Sequence, residues 1–477
     1  MTRAHVIGAG PNGLAAAIVL AQAGLSVDVY EAQAEPGGAA RTMPLTLPGF
    51  LHDFGSAVLP MAAGSPFFNT LPLARHGLQW IQGDAPLAHP LDDGTAVMLE
   101  QSLADTAREL ALDGKPWQHL MQPIVAHWDD FIADAMSPLL RVPHHPLRMA
   151  RFGMSAFQSA RLLADNHFRG VRARALFAGL AAHSFMSFDR PLSAAIGLVL
   201  GAAAHAVGWP IPSGGSAAIT RALVSHFESL GGALHVNSLI DARAFSDLNT
   251  DDSIILCDTT PRAVLSMAGD QVTSAFRRAV NKFELGPGVF KIDYALSEPV
   301  PWRAHECRRA ITVHLGDRFE EIAAAEETVA RGQCAERPFV LVAQPSLFDP
   351  ARAPAGKHVL WAYCHVPNDS AFDMSVRIEA QIERFAPGFR DCVLARHIST
   401  PASLERMDAN LVGGDISGGE STLRQFLFRP SLRNYATGTR GLYLCSSSTP
   451  PGGGVHGMCG FNAAALALRQ STNRSHG

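Results

Sequence analysis

The opening residues of this chain constrain its fold more tightly than any other segment. An apolar run at 4–7 ends in Gly8-Ala9-Gly10-Pro11-Asn12-Gly13, strong helix formers occupy 14–23, and Gly24 stands where a helix would stop. Ser26-Val27-Asp28-Val29-Tyr30 then alternates as a strand and delivers Glu31 at its end. Strand, GxGxxG, helix, strand and acid, within about 30 residues, is the context of a dinucleotide-binding βαβ unit. Gly8 allows the tight turn, Gly10 lets the backbone approach a pyrophosphate, and Gly13 lets the helix pack closely on the strand. Pro11 and Asn12 fill the first helical turn, whose free N–H groups and partial positive charge suit phosphates. Glu31 can accept two hydrogen bonds from an adenosine ribose, and its charge disfavours a 2′-phosphate and hence NADP.

Two further segments bear on the ligand. Glu35-Pro36-Gly37-Gly38-Ala39-Ala40-Arg41 follows the second strand and brings a glycine pair and a forked cation back beside the phosphate site. Arg41 reads either as a diphosphate ligand or as a solvated loop arginine. Near the other end, residues 441–445 form a strand and run through Ser446-Ser447-Ser448-Thr449 into Pro450-Pro451-Gly452-Gly453-Gly454-Val455-His456-Gly457. A helix is expected from near Asn462, so a second strand, glycine loop and helix N-terminus is available to a polar, partly anionic ligand.

These strings together resemble the phytoene desaturase-like branch of FAD-dependent, amine oxidase-type flavoproteins, and in particular the subgroup of pyridine nucleotide-disulfide oxidoreductase domain-containing protein 2 with its bacterial relatives. The resemblance extends over nearly the whole chain and includes Gly208-Trp209-Pro210-Ile211-Pro212-Ser213-Gly214-Gly215-Ser216 and Trp361-Ala362-Tyr363-Cys364-His365-Val366-Pro367-Asn368. It implies an α/β fold in which a Rossmann-like FAD-binding domain of the glutathione reductase/amine oxidase type is interleaved with an α+β substrate domain. The expected FAD-binding parts are 1–60, 206–280 and 431–477; the expected substrate or cap parts are 61–205 and 281–430. A backbone amide near Ile240 would meet the adenine, and Gly453, Gly454, Val455, His456 and Gly457 would lie by the flavin. The implied activity is an FAD-dependent dehydrogenase, desaturase or oxidase that passes hydride from a hydrophobic organic substrate to flavin N5. A flavin-bound regulator with little turnover and a redox-neutral flavin isomerase are the alternatives. The single βαβ fingerprint and acidic Glu31 give no sign of a separate NAD(P) site, which points to oxygen or a quinone as electron acceptor.

Composition removes other classes. A net charge of -4 with 17% charged residues leaves no basic footprint for nucleic acid. Seven scattered cysteines contain no CxxC pair, so neither a redox dithiol nor a thiolate metal site is expected, and free thiols suit a reducing compartment. The chain enters a strand at once, without leader features, so a cytoplasmic location is expected. The apolar stretch 192–208 is Ala/Gly-rich and interrupted by His205, which reads as a buried helix rather than a membrane span. Residues 128–170 mix helical apolar spacing with Arg141, His144, His145, Arg148, Arg151 and Arg161; this is either a lid in peripheral contact with lipid or an ordinary helical cap. Asp129, Asp130 and Asp134 dilute the basic face and favour the cap.

Candidates for proton handling are few. His456 sits in the C-terminal glycine loop, where it would contact the flavin, act as acid or base, or brace the loop. The strand at 289–296 places Lys291 and Asp293 on one face and Phe290, Ile292 and Tyr294 on the other. Lys291 would play the flavin-N5 water lysine of amine oxidase-type enzymes or pair with Asp293. His314 and His365 read as structural strand histidines. No Ser-His-Asp order, HExxH or P-loop lysine supports a hydrolase or kinase.

Overall fold

The Gly8–Glu31 region assembles as its pattern predicts. In the computed structural model, which describes residues 3–138, 141–250 and 253–472, the first strand (Arg3–Ile7) is the centre of a five-stranded sheet. The order is Leu442–Leu444, Ile254–Cys257, Arg3–Ile7, Ser26–Tyr30 and Ala233–His235. All four pairings are parallel. A parallel sheet needs crossover connections and cover on both faces, which explains strands as apolar as Ile-Ile-Leu-Cys at 254–257. Helices Pro11–Gln22, Ala217–Ser229 and Met458–Thr472 and the Phe245–Val264–Phe276 cluster supply it.

Register brings the strand ends together. Ile7 pairs with both Tyr30 and Cys257, and Cys257 with Leu444. The residues that follow, Gly8, Glu31, Asp258 and Cys445, therefore gather at one edge. In doubly wound sheets this carboxyl edge is where ligands bind.

Two boundaries depart from the sequence expectation. Alternation over 233–244 suggests one strand, but pairing ends at His235. Asp241 instead caps a helix, Ala242–Leu248, its side chain accepting from the amides of Arg243 and Ala244. A cap that satisfies two free amides outweighs a weak period-two pattern. The last helix begins at Met458, a turn ahead of Asn462.

The second sheet has seven strands in the order Val393–Ser399, Gly288–Leu296, His358–Val366, Val340–Ala343, Ala310–Leu315, Ala85–Pro90 and Ala96–Leu99. Its pairings are antiparallel except that of Ala310–Leu315 with Ala85–Pro90. Phe290, Ile292, Tyr294, Leu360, Ala362 and Cys364 form an outer apolar layer. The inner face joins the main core: Leu87, Val289, Leu341, Trp361 and Tyr363 lie in one apolar cluster with Leu14, Val455 and Met458 of the nucleotide-binding part.

Helices wrap the cap. Ser193–Ala206 is largely buried, as expected for 192–208, and no helix among the described residues is long and apolar enough to cross a membrane. In the 128–170 section Arg148 pairs with Asp130 at 2.6 Å, Arg161 with Asp189 at 2.5 Å and His145 with Asp134 at 3.2 Å. Three of the basic side chains of this section are thus paired with acids, while Leu147 and Met154 stand exposed on it.

Candidate functional site

The first glycine loop closes on itself through carboxylates. Glu31, buried at the end of its strand, accepts from the amide of Ala9 at 2.9 Å and from that of Gln33 at 2.9 Å. Gly13 donates its amide to Asp258 Oδ2 at 2.8 Å. Gly10 caps the Pro11–Gln22 helix with no side-chain hydrogen bond, and Asn12 carries a buried Oδ1 without a protein partner. A methyl group on Gly13 would stand 2.1 Å from the carbonyl oxygen of Gly8, and one on Gly10 would stand 2.7 Å from Asp258 Oδ2. Glycine at position 10 is therefore demanded by Asp258 as well as by any ligand, a constraint that the pyrophosphate argument alone does not supply.

The second glycine pair docks on the first loop. Gly37 donates to the carbonyl of Ala9 at 2.9 Å and has a φ of +125°, a conformation that side chains resist. Arg41 is buried rather than solvated. Its Nε reaches the carbonyl of Gly38 at 2.7 Å, one terminal nitrogen reaches Met407 at 2.8 Å, and the guanidinium lies 4.8 Å from the Phe54 ring centre. Ala39 continues this turn, and Asp408 stands beside Arg41.

The C-terminal loop comes to the same place. Gly460 packs so closely on the first helix that a methyl there would fall 1.8 Å from the Asn12 carbonyl oxygen. Ser65 donates to the carbonyl of His456 at 2.7 Å. Val455 and His456 are buried and Gly457 has positive φ against Phe68, while Gly453 and Gly454 are exposed. The ring of His456 serves its own loop, accepting at Nδ1 from the Met458 amide at 3.0 Å. Burial pushes this imidazole down to about 4, against the opposing pull of the Gly452 and Gly453 carbonyls. It is neutral at physiological pH.

Three acids crowd the phosphate edge. Burial raises Asp258 to about 7; the Gly13 hydrogen bond opposes this, and Asp408 and Glu31 add to it. Asp258 is a site residue that motif reasoning missed, although it ends its strand as Glu31 ends the second. Ile240 lies two residues beyond Ser238, whose amide donates to the Glu31 carbonyl at 2.8 Å, and it packs with the Phe245 cluster.

Lys291 lies apart from these loops, on the inner face of the cap sheet. It forms a buried ion pair with Asp293 and stands 5.6 Å from the Trp361 ring centre. Burial lowers the lysine and raises the aspartate to about 6, each opposed by the attraction of its partner. His52 approaches Asp293 at 3.7 Å and is pushed down to about 3, chiefly by burial and then by Lys291. Neighbouring Asp53 links the start of helix Ala217–Ser229 to the turn Pro350–Arg352. It accepts from the Ser216 amide at 2.8 Å and pairs with fully buried Arg352 at 2.8 Å.

The geometry can hold a dinucleotide at the strand edge, with an acid at Glu31, a cation at Arg41 and an exposed glycine loop at 453–454. Comparison with known proteins agrees with this arrangement. Residues 6–70 match the model of an NAD(P)-binding Rossmann-like domain. Along 98% of its length the chain is 26% identical to rat (Rattus norvegicus) pyridine nucleotide-disulfide oxidoreductase domain-containing protein 2, covering 94% of that protein. It is 24% identical, over 98% of its length and 99% of the relative's, to the lycopene-forming phytoene desaturase of Pseudescherichia vulneris. Its fold matches that of putrescine oxidase bound to putrescine with a TM-score of 0.60 at 16% identity, covering 100% of this chain and 99% of that one. The chain is thus a full-length homologue of pyridine nucleotide-disulfide oxidoreductase domain-containing protein 2 and of the phytoene desaturases, built on a Rossmann-like fold shared with an amine oxidase.

Proposed function

We propose that the protein is an FAD-dependent oxidoreductase acting on a largely apolar organic substrate, with oxygen or a quinone as electron acceptor. One observation carries the reading. The N-terminal glycine loop and the C-terminal glycine loop, with Gly453 and Gly454 exposed, are brought together where Gly460 packs on Asn12. A nicotinamide dinucleotide leaves after each turnover, whereas this pair of loops suits a resident one. FAD, when bound, supplies a two-electron acceptor.

The chain's own residues would do the rest. Glu31 is oriented by the Ala9 and Gln33 amides to receive a ribose. The Pro11–Gln22 helix would present the positive end of its dipole to phosphates, although its Gly13 amide is taken by Asp258, and Arg41 would offset their charge beside Gly38. The inner cap face would exclude water and carries the buried Lys291–Asp293 pair. The strand aromatics Trp361 and Tyr363 provide surface for an apolar body.

The test is spectroscopic. The purified protein is expected to be yellow, to bleach on anaerobic photoreduction, and to recover on mixing with oxygen or a soluble quinone. A colourless protein that fails to take up FAD would overturn the cofactor reading. A reduced flavin that neither acceptor reoxidises would favour a binding role without turnover.

A further inference from the structure

The inner face of the cap sheet is more polar than a hydrocarbon site requires. Strand alternation sends Thr312 and His314, and Trp361, Tyr363 and His365, to the same side as Lys291 and Asp293. His365 is 2% exposed, and its Nδ1 lies 2.8 and 2.9 Å from the two carboxylate oxygens of Glu326. Glu326 is itself 3% exposed and comes from helix Phe319–Ala330. A carboxylate accepts only, so Nδ1 carries the hydrogen and Nε2 is the ring nitrogen left for another partner. Nε2 is buried and has no protein partner.

The surroundings mark this nitrogen as aimed at a ligand. Phe185 lies over the imidazole with ring centres 4.1 Å apart, held there by a left-handed backbone, φ 58°. Residues 175–182 of the preceding helix are fully buried, yet His183 and Phe185 retain accessible surface. Tyr363 and Phe339 complete an aromatic surround, with ring centres 5.6 and 5.9 Å from His365. His183 and His314 meet across 3.1 Å between their Nε2 atoms, and although His314 Nδ1 and His89 Nδ1 are also buried without a partner, it is His365 that combines such a nitrogen with a carboxylate on the other. The desolvated nitrogen carries a cost that a hydrogen-bonding ligand group would remove.

We propose that His365, oriented by Glu326, is the recognition point for a hydroxyl group on an otherwise apolar substrate. This rests on the oxidoreductase reading only for the word substrate; the binding site stands on its own geometry. It replaces a pure hydrocarbon with a polar-headed molecule as the class accepted, because a site built to pair a hydroxyl rejects the analogue that lacks one.

The test uses a matched pair of probes on the protein as purified, 2-naphthol and 2-methylnaphthalene, by equilibrium dialysis. His365→Phe is expected to weaken 2-naphthol at least about ten-fold while 2-methylnaphthalene moves less than about two-fold. Glu326→Gln, which keeps an acceptor but loses the charge, is expected to fall between. Equal changes for both probes, or no binding of 2-naphthol by the wild-type protein, would overturn the proposal. Should the variants fold poorly, 15N-imidazole spectra of the wild-type protein decide the matter. One buried histidine is expected in the Nδ1–H form, with its Nε2 resonance moving on 2-naphthol addition and not on 2-methylnaphthalene addition; no such movement overturns the proposal. Neither readout needs flavin turnover, so a colourless or redox-silent protein would defeat the functional reading and leave this one to be judged separately.

Discussion

Replacing Asp258 by asparagine should change how stability depends on pH. The carboxyl group is buried among Gly8, Gly10 and Gly13, takes a hydrogen bond from the Gly13 amide at 2.8 Å, and faces Asp408 and Glu31. Its folded value is about 7 against 3.8 for an unperturbed aspartate. Between these values the folded protein holds a proton that the unfolded chain has released. Stability present below pH 3.8 is therefore lost as pH rises toward 7, and the loss levels off above that. At about 1.36 kcal/mol per pH unit the whole effect is bounded by roughly 4 kcal/mol, of which about 2–3 kcal/mol falls between pH 5 and pH 8. Asparagine keeps the carbonyl acceptor for Gly13 and does not titrate. Urea unfolding of both proteins without added cofactor at pH 5 and pH 8 isolates the effect, because every other group is common to the two. The Asp258→Asn protein should gain about 2–3 kcal/mol on the wild type over that interval. A difference that stays constant with pH, or one that favours the wild type as pH rises, would refute the burial argument.

Other consequences follow from packing and pairing. Gly13→Ala would press a methyl group to 2.1 Å from the Gly8 carbonyl oxygen; a cost of about 1–3 kcal/mol and loss of flavin absorbance in the purified protein are expected. Lys291→Met strands a buried aspartate and should cost about 3–5 kcal/mol, while the double variant Lys291→Met/Asp293→Leu should recover most of it in a double-mutant cycle. Recovery of none of that loss would mean that Lys291 acts through contacts other than Asp293. Arg148→Ala breaks a pair whose two side chains are 41% and 48% exposed, so its unfolding midpoint should move by less than about 1 kcal/mol equivalent, and less again in high salt.

Local chemistry sufficed for the nucleotide edge. Gly8, Gly10, Gly13 and Glu31 are readable in sequence because a tight turn, a helix start and a strand end each demand particular residue types at short spacing, and the strand and helix follow as expected. The Lys291–Asp293 pairing was readable for the same reason, since a period of two fixes which side chains share a face. Capping at Asp241 was legible too, but alternation over 233–244 masked it.

What lay beyond reach depends on contacts distant in the chain. Asp258 meets Gly13 across 245 residues, and no spacing rule links them. Arg352 finds Asp53 across 299 residues, and Glu326 reaches His365 from a helix packed on the sheet. Sequence made His365 a structural strand histidine because a strand pattern records which face a residue takes and is silent on what covers that face. By itself the sequence determined that a dinucleotide edge forms, through φ, ψ and capping requirements that are local. Only the tertiary structure decided which acids crowd that edge and which buried nitrogen is left to receive a substrate, because burial and partnership are set by the packing of one sheet over the other.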